Sequence, residues 1–269
     1  MMYQSPLADW KRDACVAPVA ESDARVKGSL WALYATGGFL RRNEALASEL
    51  ASIANESASP LRRVFEFASD GSFMTIHALE RAELRSTLTH WVTSDVSANA
   101  LRHSTWLFHC GAPCVEHPRR PLVVPPHWRA TRGTFLLHDN RTRVDVEPVD
   151  VSQLHRSVRM DAFDAFVTIS LEHILEDLAL LRTIPCGKWV VFSVPNFGAP
   201  ANAKTLAAAC KSAAYSSACD QHWHTFDGEA GIRARYGRLL HIRRIHRVPH
   251  IGKWAKFVVS GRRCPSYAD

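Results

Sequence analysis

Polar side chains follow two apolar runs of the chain, at the points where each run ends. Ser170, Glu172 and His173 come directly after the run at residues 163–169, and Asn196 comes soon after the next run. The imidazole of a histidine titrates near neutral pH, so it can take a proton from a hydroxyl or an amine. A glutamate in the same place can line a pocket or complement the positive end of a helix dipole. These residue types are suited to acid–base chemistry.

Residues 161–197 predict a strand, a helix and a second strand that would hold these side chains. The first apolar run is short, aromatic and β-branched, as expected for a strand buried on both faces. Leucine and isoleucine then recur at helical spacing from Leu171, and Gly187 provides a turn. Valines and one phenylalanine begin the second strand, which Pro195 is predicted to end. In open α/β sheets, ligands bind at the carboxyl ends of the parallel strands.

Further strands are predicted on either side of this unit. The predicted units are a strand, loop and helix at residues 63–84, a strand ending at Asp95 with a helix start at residues 90–101, a strand at residues 144–149, and a closing antiparallel pair at residues 239–245 and 253–260. Alternating strands and helices of this kind are typical of a parallel sheet.

The order of these parts resembles the class I S-adenosylmethionine-dependent methyltransferase family. The resemblance rests on Leu171-Glu172-His173 at a helix start, on Pro195-Asn196 near a strand end and on the terminal acid Asp95, and it covers residues 63–197. It implies an α/β fold, a Rossmann-like, doubly wound, mostly parallel seven-stranded sheet with helices on both faces and an antiparallel C-terminal strand pair. It also implies S-adenosylmethionine as the cofactor and methyl transfer as the reaction.

The resemblance implies roles for several residues. Asp95 would accept hydrogen bonds from the ribose hydroxyls, Glu66 would face the amino group of the cofactor, and Ser170 would lie at the strand end beside it. Asp95 also fits a helix N-cap, and Glu66 also fits a capping carboxylate, so both alternatives stay open.

The remaining roles have competitors as well. Asp150 would lie near the adenine amino group, but Asp145 and Glu147 compete for that position. His173 is the candidate catalytic base and Glu172 its neighbour in the pocket. Both also fit an ordinary helix start, where a histidine bonds to the backbone and a glutamate complements the helix dipole.

The loop after the first predicted strand departs from the family pattern. The family has Glu-x-Gly-x-Gly-x-Gly, whereas this chain has Glu66-Phe67-Ala68-Ser69-Asp70-Gly71-Ser72, so only Gly71 remains. Glycine permits unusual dihedral angles and close approach to a cofactor. Ala68 and Gly71 are still predicted to line the cofactor, since alanine is the smallest replacement. Asp70 adds bulk and a carboxylate near the methionine carboxylate of the cofactor, unless a gap in the alignment moves it. A working site and a degenerate one therefore both remain open.

The chain divides into one main domain with additions. Residues 1–60 predict a helical preface, residues 61–263 the methyltransferase-like domain and residues 264–269 a tail. Residues 102–143 contain five prolines between positions 113 and 126 and are longer than an ordinary connection, so they predict a structured insertion.

Two thiols and two imidazoles lie close together in this insertion, at His109, Cys110, Cys114 and His117. They are zinc-compatible ligand types, but their spacing matches no common zinc finger. The adjacent pair His109-Cys110 is also poorly placed to ligate one ion. A proline-rich turn is therefore predicted here, and no metal.

A basic segment closes the domain. The net charge is +7, and residues 231–263 hold ten Lys or Arg and no Asp or Glu. Such a segment can contact nucleic acid, and Tyr236, Trp254 and Phe257 within it can stack on bases. Basic residues also keep edge strands soluble, which is the alternative.

The composition predicts a soluble, cytoplasmic protein with no membrane contact. Seven scattered cysteines do not suggest a disulfide framework, and no apolar run approaches the ~18 residues of a membrane span. Three functions remain: methyl transfer to a small-molecule acceptor, an inactive methyltransferase-like binding or regulatory protein, and an RNA-directed methyltransferase. The sequence identifies neither the acceptor nor the oligomeric state.

Overall fold

A computed structural model describes residues 37–109, 124–125, 127–137, 141–171, 174, 176–196, 226, 228–249 and 255–263. The helices of these residues are α1 (Gly37–Glu56), α2 (Phe73–Leu79), α3 (Ala82–Arg85), α4 (Ala98–His109), α5 (Leu154–Ser157), α6 (Asp177–Thr183) and α7 (Glu229–Tyr236). The strands are β1 (Arg63–Glu66), β2 (His90–Asp95), β3 (Gly133–Leu137), β4 (Thr142–Pro148), β5 (Ala165–Thr168), β6 (Trp189–Asn196), β7 (Leu240–Pro249) and β8 (Ala255–Arg263).

The described strands form one eight-stranded sheet in the order β3-β4-β2-β1-β5-β6-β8-β7. Neighbours from β4 to β6 in this order are parallel, whereas β3 is antiparallel to β4, β8 to β6 and β7 to β8. The carboxyl ends of the parallel strands therefore meet along one edge of the sheet, called the carboxyl edge below. The loops that follow these strands emerge there.

Successive side chains of each strand point to opposite faces of the sheet, so the core has two layers. Val64 of β1 and Val167 of β5 face residues of α1, α2 and α4, while Phe65 and Phe166 face residues of α5, α6 and α7. Strands buried on both faces are rich in apolar residues, which explains why β5 and β6 belong to largely apolar runs in the sequence. The result is a sheet between two layers of helices.

The predicted α/β fold is confirmed, with one strand more than expected. The sheet contains the parallel strands and the antiparallel pair β7 and β8, and β3 adds an eighth strand at the edge beside β4. β3 lies inside the segment predicted as an insertion, where its five residues were not predicted as a strand.

The predicted insertion also begins too early, because residues 102–109 continue α4. Leu107 and Phe108 are buried in the core, so this part of the helix is held by apolar packing. Trp128 lies in the same region and packs on Trp106 with ring centroids 5.0 Å apart. Its indole N–H donates to the hydroxyl of Thr105 at 3.0 Å.

Two element boundaries differ from the prediction. β6 runs through Pro195 to Asn196 instead of ending at the proline. β5 ends opposite Phe192, so the last residues of β6 pair with β8 alone. Pro195 has no N–H to donate, and a proline is tolerated where a strand has a neighbour on only one side. The described helix α6 begins at Asp177 and not at Leu171.

The start of α6 is fixed by tertiary contacts that the leucine spacing does not show. The buried carboxylate of Asp177 accepts hydrogen bonds from Arg235 at 2.6 and 2.9 Å and from the hydroxyl of Tyr236 at 2.7 Å. These bonds tie α6 to α7.

Helix α1 is fastened to the antiparallel pair at the end of the sheet. The buried carboxylate of Glu49 accepts hydrogen bonds from Arg243, from Arg244 at 3.2 Å and from the hydroxyl of Ser260 at 2.6 Å. Part of the predicted helical preface is thus packed onto the domain. None of the described helices combines the length and apolarity needed to cross a bilayer.

Candidate functional site

The loop after β1 follows a left-handed backbone course although it contains a single glycine. The φ angle is +50° at Ala68, +47° at Asp70 and +65° at Ser72, beside +95° at Gly71. Left-handed conformation costs a residue with a Cβ roughly 1–2 kcal/mol. Three residues here adopt the conformation for which glycine is normally used, so contacts from outside the loop must hold it.

Asp95 joins this loop to the end of β2. Its Oδ2 accepts the N–H of Asp70 at 2.9 Å, and its Oδ1 accepts the N–H of Ser97 at 2.8 Å. The hydroxyl of Ser97 accepts the N–H of Ala100 at 3.4 Å, so Ser97 occupies the N-cap position of α4. A carboxylate has about four lone-pair sites, and two backbone bonds leave capacity for further donors.

Two adjacent side chains of α4 reach the same loop. Nδ1 of His103 lies 3.0 Å from the carbonyl oxygen of Gly71. Burial lowers the pKa of His103 to about 4, so the ring is neutral at pH 7 and its Nδ1 must donate to this carbonyl. The hydroxyl of Ser72 donates to Ser104 at 2.7 Å and also bonds the hydroxyl of Thr93 at 2.7 Å.

Glu66 lies at the end of β1 and is fully buried. Its Oε2 accepts hydrogen bonds from the hydroxyl of Thr75 on α2 and, at 3.2 Å, from the indole N–H of Trp91 on β2. Burial raises the pKa of Glu66 to about 7, against the effect of these bonds. The bonds direct Oε2 into the protein interior, and contact with a cofactor amino group stays a prediction.

The carboxyl group of Asp70 lies in an environment that disfavours its charge. Burial and the nearby charge of Asp95 raise the pKa of Asp70 to about 7, and Lys256 acts in the opposite direction. Near neutral pH, the carboxylate expected to oppose a bound carboxylate is therefore protonated in a substantial fraction of molecules.

Ser170 lies at the carboxyl edge after β5, between two buried cations. Its hydroxyl accepts from Nη1 of Arg42 and from Nζ of Lys256, each at 3.4 Å. Sequence reasoning missed both cations, because they come from α1 and β8. A lysine within the apolar run of β8 was a usable signal, since the antiparallel pairing of Lys256 with Pro195 brings it to the carboxyl edge.

Asp150 follows β4 and is exposed. Its Oδ1 accepts the N–H of Ser152 at 2.9 Å and caps a short 3₁₀ turn at Val151–Gln153. The N–H of Val149 donates to the carbonyl of Asp95 at 3.2 Å, which brings this segment beside the end of β2. Val96, with 77% of its surface exposed, presents apolar area at the same place.

The two acids that compete with Asp150 are engaged along β4. Burial acts to raise the pKa of Asp145, but hydrogen bonds from His90, Arg143 and Thr134 outweigh it and bring the pKa to about 2. Glu147 pairs with Arg132 at 2.7 Å. Asp150 is thus the acid of this segment whose described contacts are confined to a local turn.

Several predicted residues fall outside the part of the chain that the structure describes. Glu172 and His173 are among them, so their catalytic roles stay predictions. Cys110, Cys114 and His117 are also outside it. Within the described ranges, no group of three or more His, Cys, Asp and Glu side chains is placed to hold a metal ion.

No family model and no curated protein matches the chain, whereas solved structures do. N-methyltransferase NodS from Bradyrhizobium japonicum WM9, in complex with S-adenosyl-L-homocysteine, is 12% identical over 94% of this chain and 97% of its own, with a TM-score of 0.46. The CurJ carbon methyltransferase is 11% identical over 83% of this chain and 54% of its own, with a TM-score of 0.48. The B. subtilis tRNA methyltransferase TrmK is 9% identical over 84% of this chain and 66% of its own, with a TM-score of 0.45.

The chain spans about half the length of CurJ and 41% of EvdMO1, another similar structure. The assignment of the fold rests on the strand order and pairing of the chain itself. The resemblance implied a mostly parallel sheet closed by an antiparallel pair. The described strands form such a sheet, in the order β4-β2-β1-β5-β6-β8-β7 beside the added edge strand. The chain has a Rossmann-like α/β fold with a mostly parallel sheet and an antiparallel C-terminal strand pair.

Proposed function

We propose that the protein transfers a methyl group from S-adenosylmethionine to a small-molecule acceptor. The observation that carries this proposal is the 2.9 Å hydrogen bond from the N–H of Asp70 to the carboxylate of Asp95. It joins the left-handed loop after β1 to the acid at the end of β2, the two parts that would bind the cofactor. NodS, one of the similar solved structures, was solved in complex with S-adenosyl-L-homocysteine.

The residues near the end of β2 fit the nucleoside part of this cofactor. Asp95 retains capacity to accept hydrogen bonds from ribose hydroxyls. Val96 beside it offers exposed apolar surface, and an aromatic base gains free energy by covering such surface. Asp150, on the neighbouring segment, offers a carboxylate to an amino group on the base.

The loop also fits the cofactor in spite of Asp70. Its backbone already has the left-handed course that glycines permit, and the raised pKa of Asp70 reduces its repulsion of a bound carboxylate. Lys256, whose charge acts on Asp70, adds positive charge at the same edge, which favours a carboxylate there.

When bound, S-adenosylmethionine supplies an electrophilic methyl group on a sulfonium. The protein then has to align the acceptor and accept any proton that it loses. His173 is the residue we assign to the proton, with Glu172 beside it. A neutral imidazole after β5 would take that proton near pH 7.

A second candidate function is binding or regulation without catalysis. The observation that favours it is the positive charge of Lys256, which acts on Asp70 at the same edge. A sulfonium is itself a cation, so this charge disfavours S-adenosylmethionine relative to its product, whose thioether sulfur is uncharged. Such a site would bind the product more tightly than S-adenosylmethionine.

Direct action on RNA has less support. Seven of the ten cations in residues 231–263 make internal contacts within the described part of the chain. Arg235 pairs with Asp177, and both Arg243 and Arg244 pair with Glu49, while Arg263 donates to backbone carbonyls. Much of the basic segment is therefore used to hold the fold together.

Calorimetric titration with S-adenosylmethionine and with S-adenosyl-L-homocysteine tests the proposal. We expect both to bind, with methyl transfer to one member of a panel of small hydroxyl and amine compounds. No binding of either ligand at millimolar concentration would refute it. Binding of S-adenosyl-L-homocysteine alone would support the non-catalytic function. Methyl transfer to RNA would show that RNA is the acceptor instead of a small molecule.

A further inference from the structure

The loop after β1 holds three left-handed residues that have a Cβ, at Ala68, Asp70 and Ser72. We infer that His103 and Ser104 of α4 are positioning residues that hold this loop in its ligand-binding shape. Contacts from α4 stabilise the left-handed conformation that glycines would adopt without strain. The inference rests on the proposed function for the identity of the ligand, but not for the clamp itself.

His103 holds the loop at Gly71 and at the residue that begins α2. Its Nδ1–H donates to the carbonyl of Gly71 at 3.0 Å, and its ring packs on the ring of Phe73 with centroids 4.8 Å apart. These two contacts lie on either side of Ser72. The ring of His103 is almost completely buried, so it cannot leave the carbonyl without disturbing the core.

Ser104 holds the residue between them. A serine at the N-cap of a helix ordinarily accepts a backbone N–H through its side chain. Ser72 occupies the N-cap of α2 but makes no such bond, and its left-handed backbone turns the hydroxyl toward Ser104 and Thr93. The hydroxyl of Ser104 in turn donates to the carbonyl of Ala100 at 3.0 Å, so the chain of bonds ends on α4.

Strand β2 holds the other half of the loop. The N–H of Ser69 donates to the carbonyl of Ser94 at 3.0 Å, and the N–H of Asp70 donates to Asp95. The loop is therefore fixed at both ends, by β2 at Ser69 and Asp70, by α4 at Gly71, and by both elements at Ser72. A loop that is ordered before the ligand arrives avoids the entropy cost of ordering on binding.

The test compares variants of α4 in the full chain. His103→Leu removes the donor and keeps apolar bulk, His103→Asn keeps an N–H near the Nδ1 position, and Ser104→Ala removes one hydroxyl. Thr105→Val is the matched control, because Thr105 lies on the same helix and bonds Ala130 and Trp128 instead of the loop. Amide hydrogen exchange at residues 69–73 without ligand measures the loop, and titration with S-adenosyl-L-homocysteine measures its binding.

We expect His103→Leu and Ser104→Ala to speed exchange at residues 69–73 by about ten-fold, as loss of one buried hydrogen bond allows. Affinity for S-adenosyl-L-homocysteine should fall by a similar factor. His103→Asn should keep most of the slow exchange and most of the affinity of the wild type, whereas Thr105→Val should change neither the exchange nor the affinity. Adding Ala68→Gly to His103→Leu should recover part of the loss, because glycine removes the left-handed strain.

Unchanged exchange in the loop of His103→Leu and Ser104→Ala would overturn the clamp, and so would equal acceleration in Thr105→Val. Faster loop exchange in a protein that binds no S-adenosyl-L-homocysteine would support the clamp and refute the proposed function. If His103→Leu does not fold, loop exchange in Ser104→Ala decides: faster exchange at residues 69–73 supports the clamp, and unchanged exchange overturns it.

Discussion

At the scale of single residues, Asp95 has the most direct test. Asp95→Ala removes the acceptor of two backbone N–H groups together with any bond to a ribose hydroxyl. We expect binding of S-adenosyl-L-homocysteine to weaken by roughly 1.5–3 kcal/mol, the range for hydrogen bonds to a charged group, measured by calorimetry. Asp161→Ala is the control, since Asp161 is exposed and lies in the 3₁₀ turn that precedes β5, at the amino end of that strand. Equal affinity of Asp95→Ala and the wild type would show that Asp95 only supports the turn.

The buried carboxyl of Glu66 predicts a pH dependence of stability. Its pKa in the folded state is about 7 against 4.5 for the ordinary group, so folding favours the protonated form. Its contribution to stability is complete below pH 4.5 and is lost as the pH rises through 7. Glu66→Gln removes this loss.

We therefore expect Glu66→Gln to be more stable relative to the wild type at pH 8 than at pH 4.5, by about 3 kcal/mol. Urea unfolding at the two pH values measures the difference. Glu83→Gln, at an exposed position of α3, should show no such change. A difference that is the same at both pH values would contradict the assignment of a raised pKa to Glu66.

Only some of the site residues could be found from the sequence. Asp95 is recognisable because a terminal acid on a short apolar strand has a local signal. His103 and Arg42 have none, since each reaches the site from another element, and the signal of Lys256 is limited to a lysine within the apolar run of β8. The left-handed angles at Ala68 and Asp70 were equally hidden, because residue types normally argue against them.

At the scale of elements, the ion pair between α1 and β7 predicts a large effect. Glu49→Ala leaves Arg243 and Arg244 without this buried carboxylate. Breaking a buried pair by removing one partner is strongly destabilising, and we expect a loss of roughly 3 kcal/mol in urea unfolding. Glu44→Ala, at an exposed position of α1, should cost far less. Similar losses in the two variants would show that the pair adds little.

The loop after β1 gives a second prediction at this scale. If α4 and β2 already impose its shape, the double variant Ala68→Gly, Asp70→Gly should bind S-adenosyl-L-homocysteine no better than the wild type. The added glycines also increase the entropy of the unfolded chain, which slightly lowers stability. Calorimetry on both proteins is the measurement. A large gain in affinity would mean that the native loop obstructs the ligand and would favour the non-catalytic function.

The elements themselves were mostly predictable, and the exceptions have physical causes. β1, β2, β5 and the pair β7 and β8 follow from apolar patterns that are local in the sequence. The start of α6 could not be predicted from a local pattern, because hydrogen bonds from Arg235 and Tyr236 of α7 to Asp177 fix it. β3 was missed because a five-residue edge strand is defined mainly by its pairing with β4.

At the scale of the whole molecule, ligand binding and unfolding should be coupled. The proposed site joins loops from the central strands, so a ligand that binds only the folded protein stabilises the entire sheet. S-adenosyl-L-homocysteine at a hundred times its dissociation constant should add about 2.7 kcal/mol. For a chain of this size the midpoint of thermal unfolding should rise by roughly 5–10 °C. Adenosine at the same concentration serves as the control, and no shift at saturating S-adenosyl-L-homocysteine would contradict the proposed site.

The left-handed angles at Ala68, Asp70 and Ser72 have a consequence for how sites of this kind are found. A search pattern that demands glycine at fixed positions tests residue identity, and it rejects this loop. The chemical requirement is a backbone trajectory, and neighbouring side chains can impose that trajectory on alanine, aspartate or serine. Searches that compare dihedral angles and the donors around them would detect such loops, including those in chains whose glycine signature has been lost.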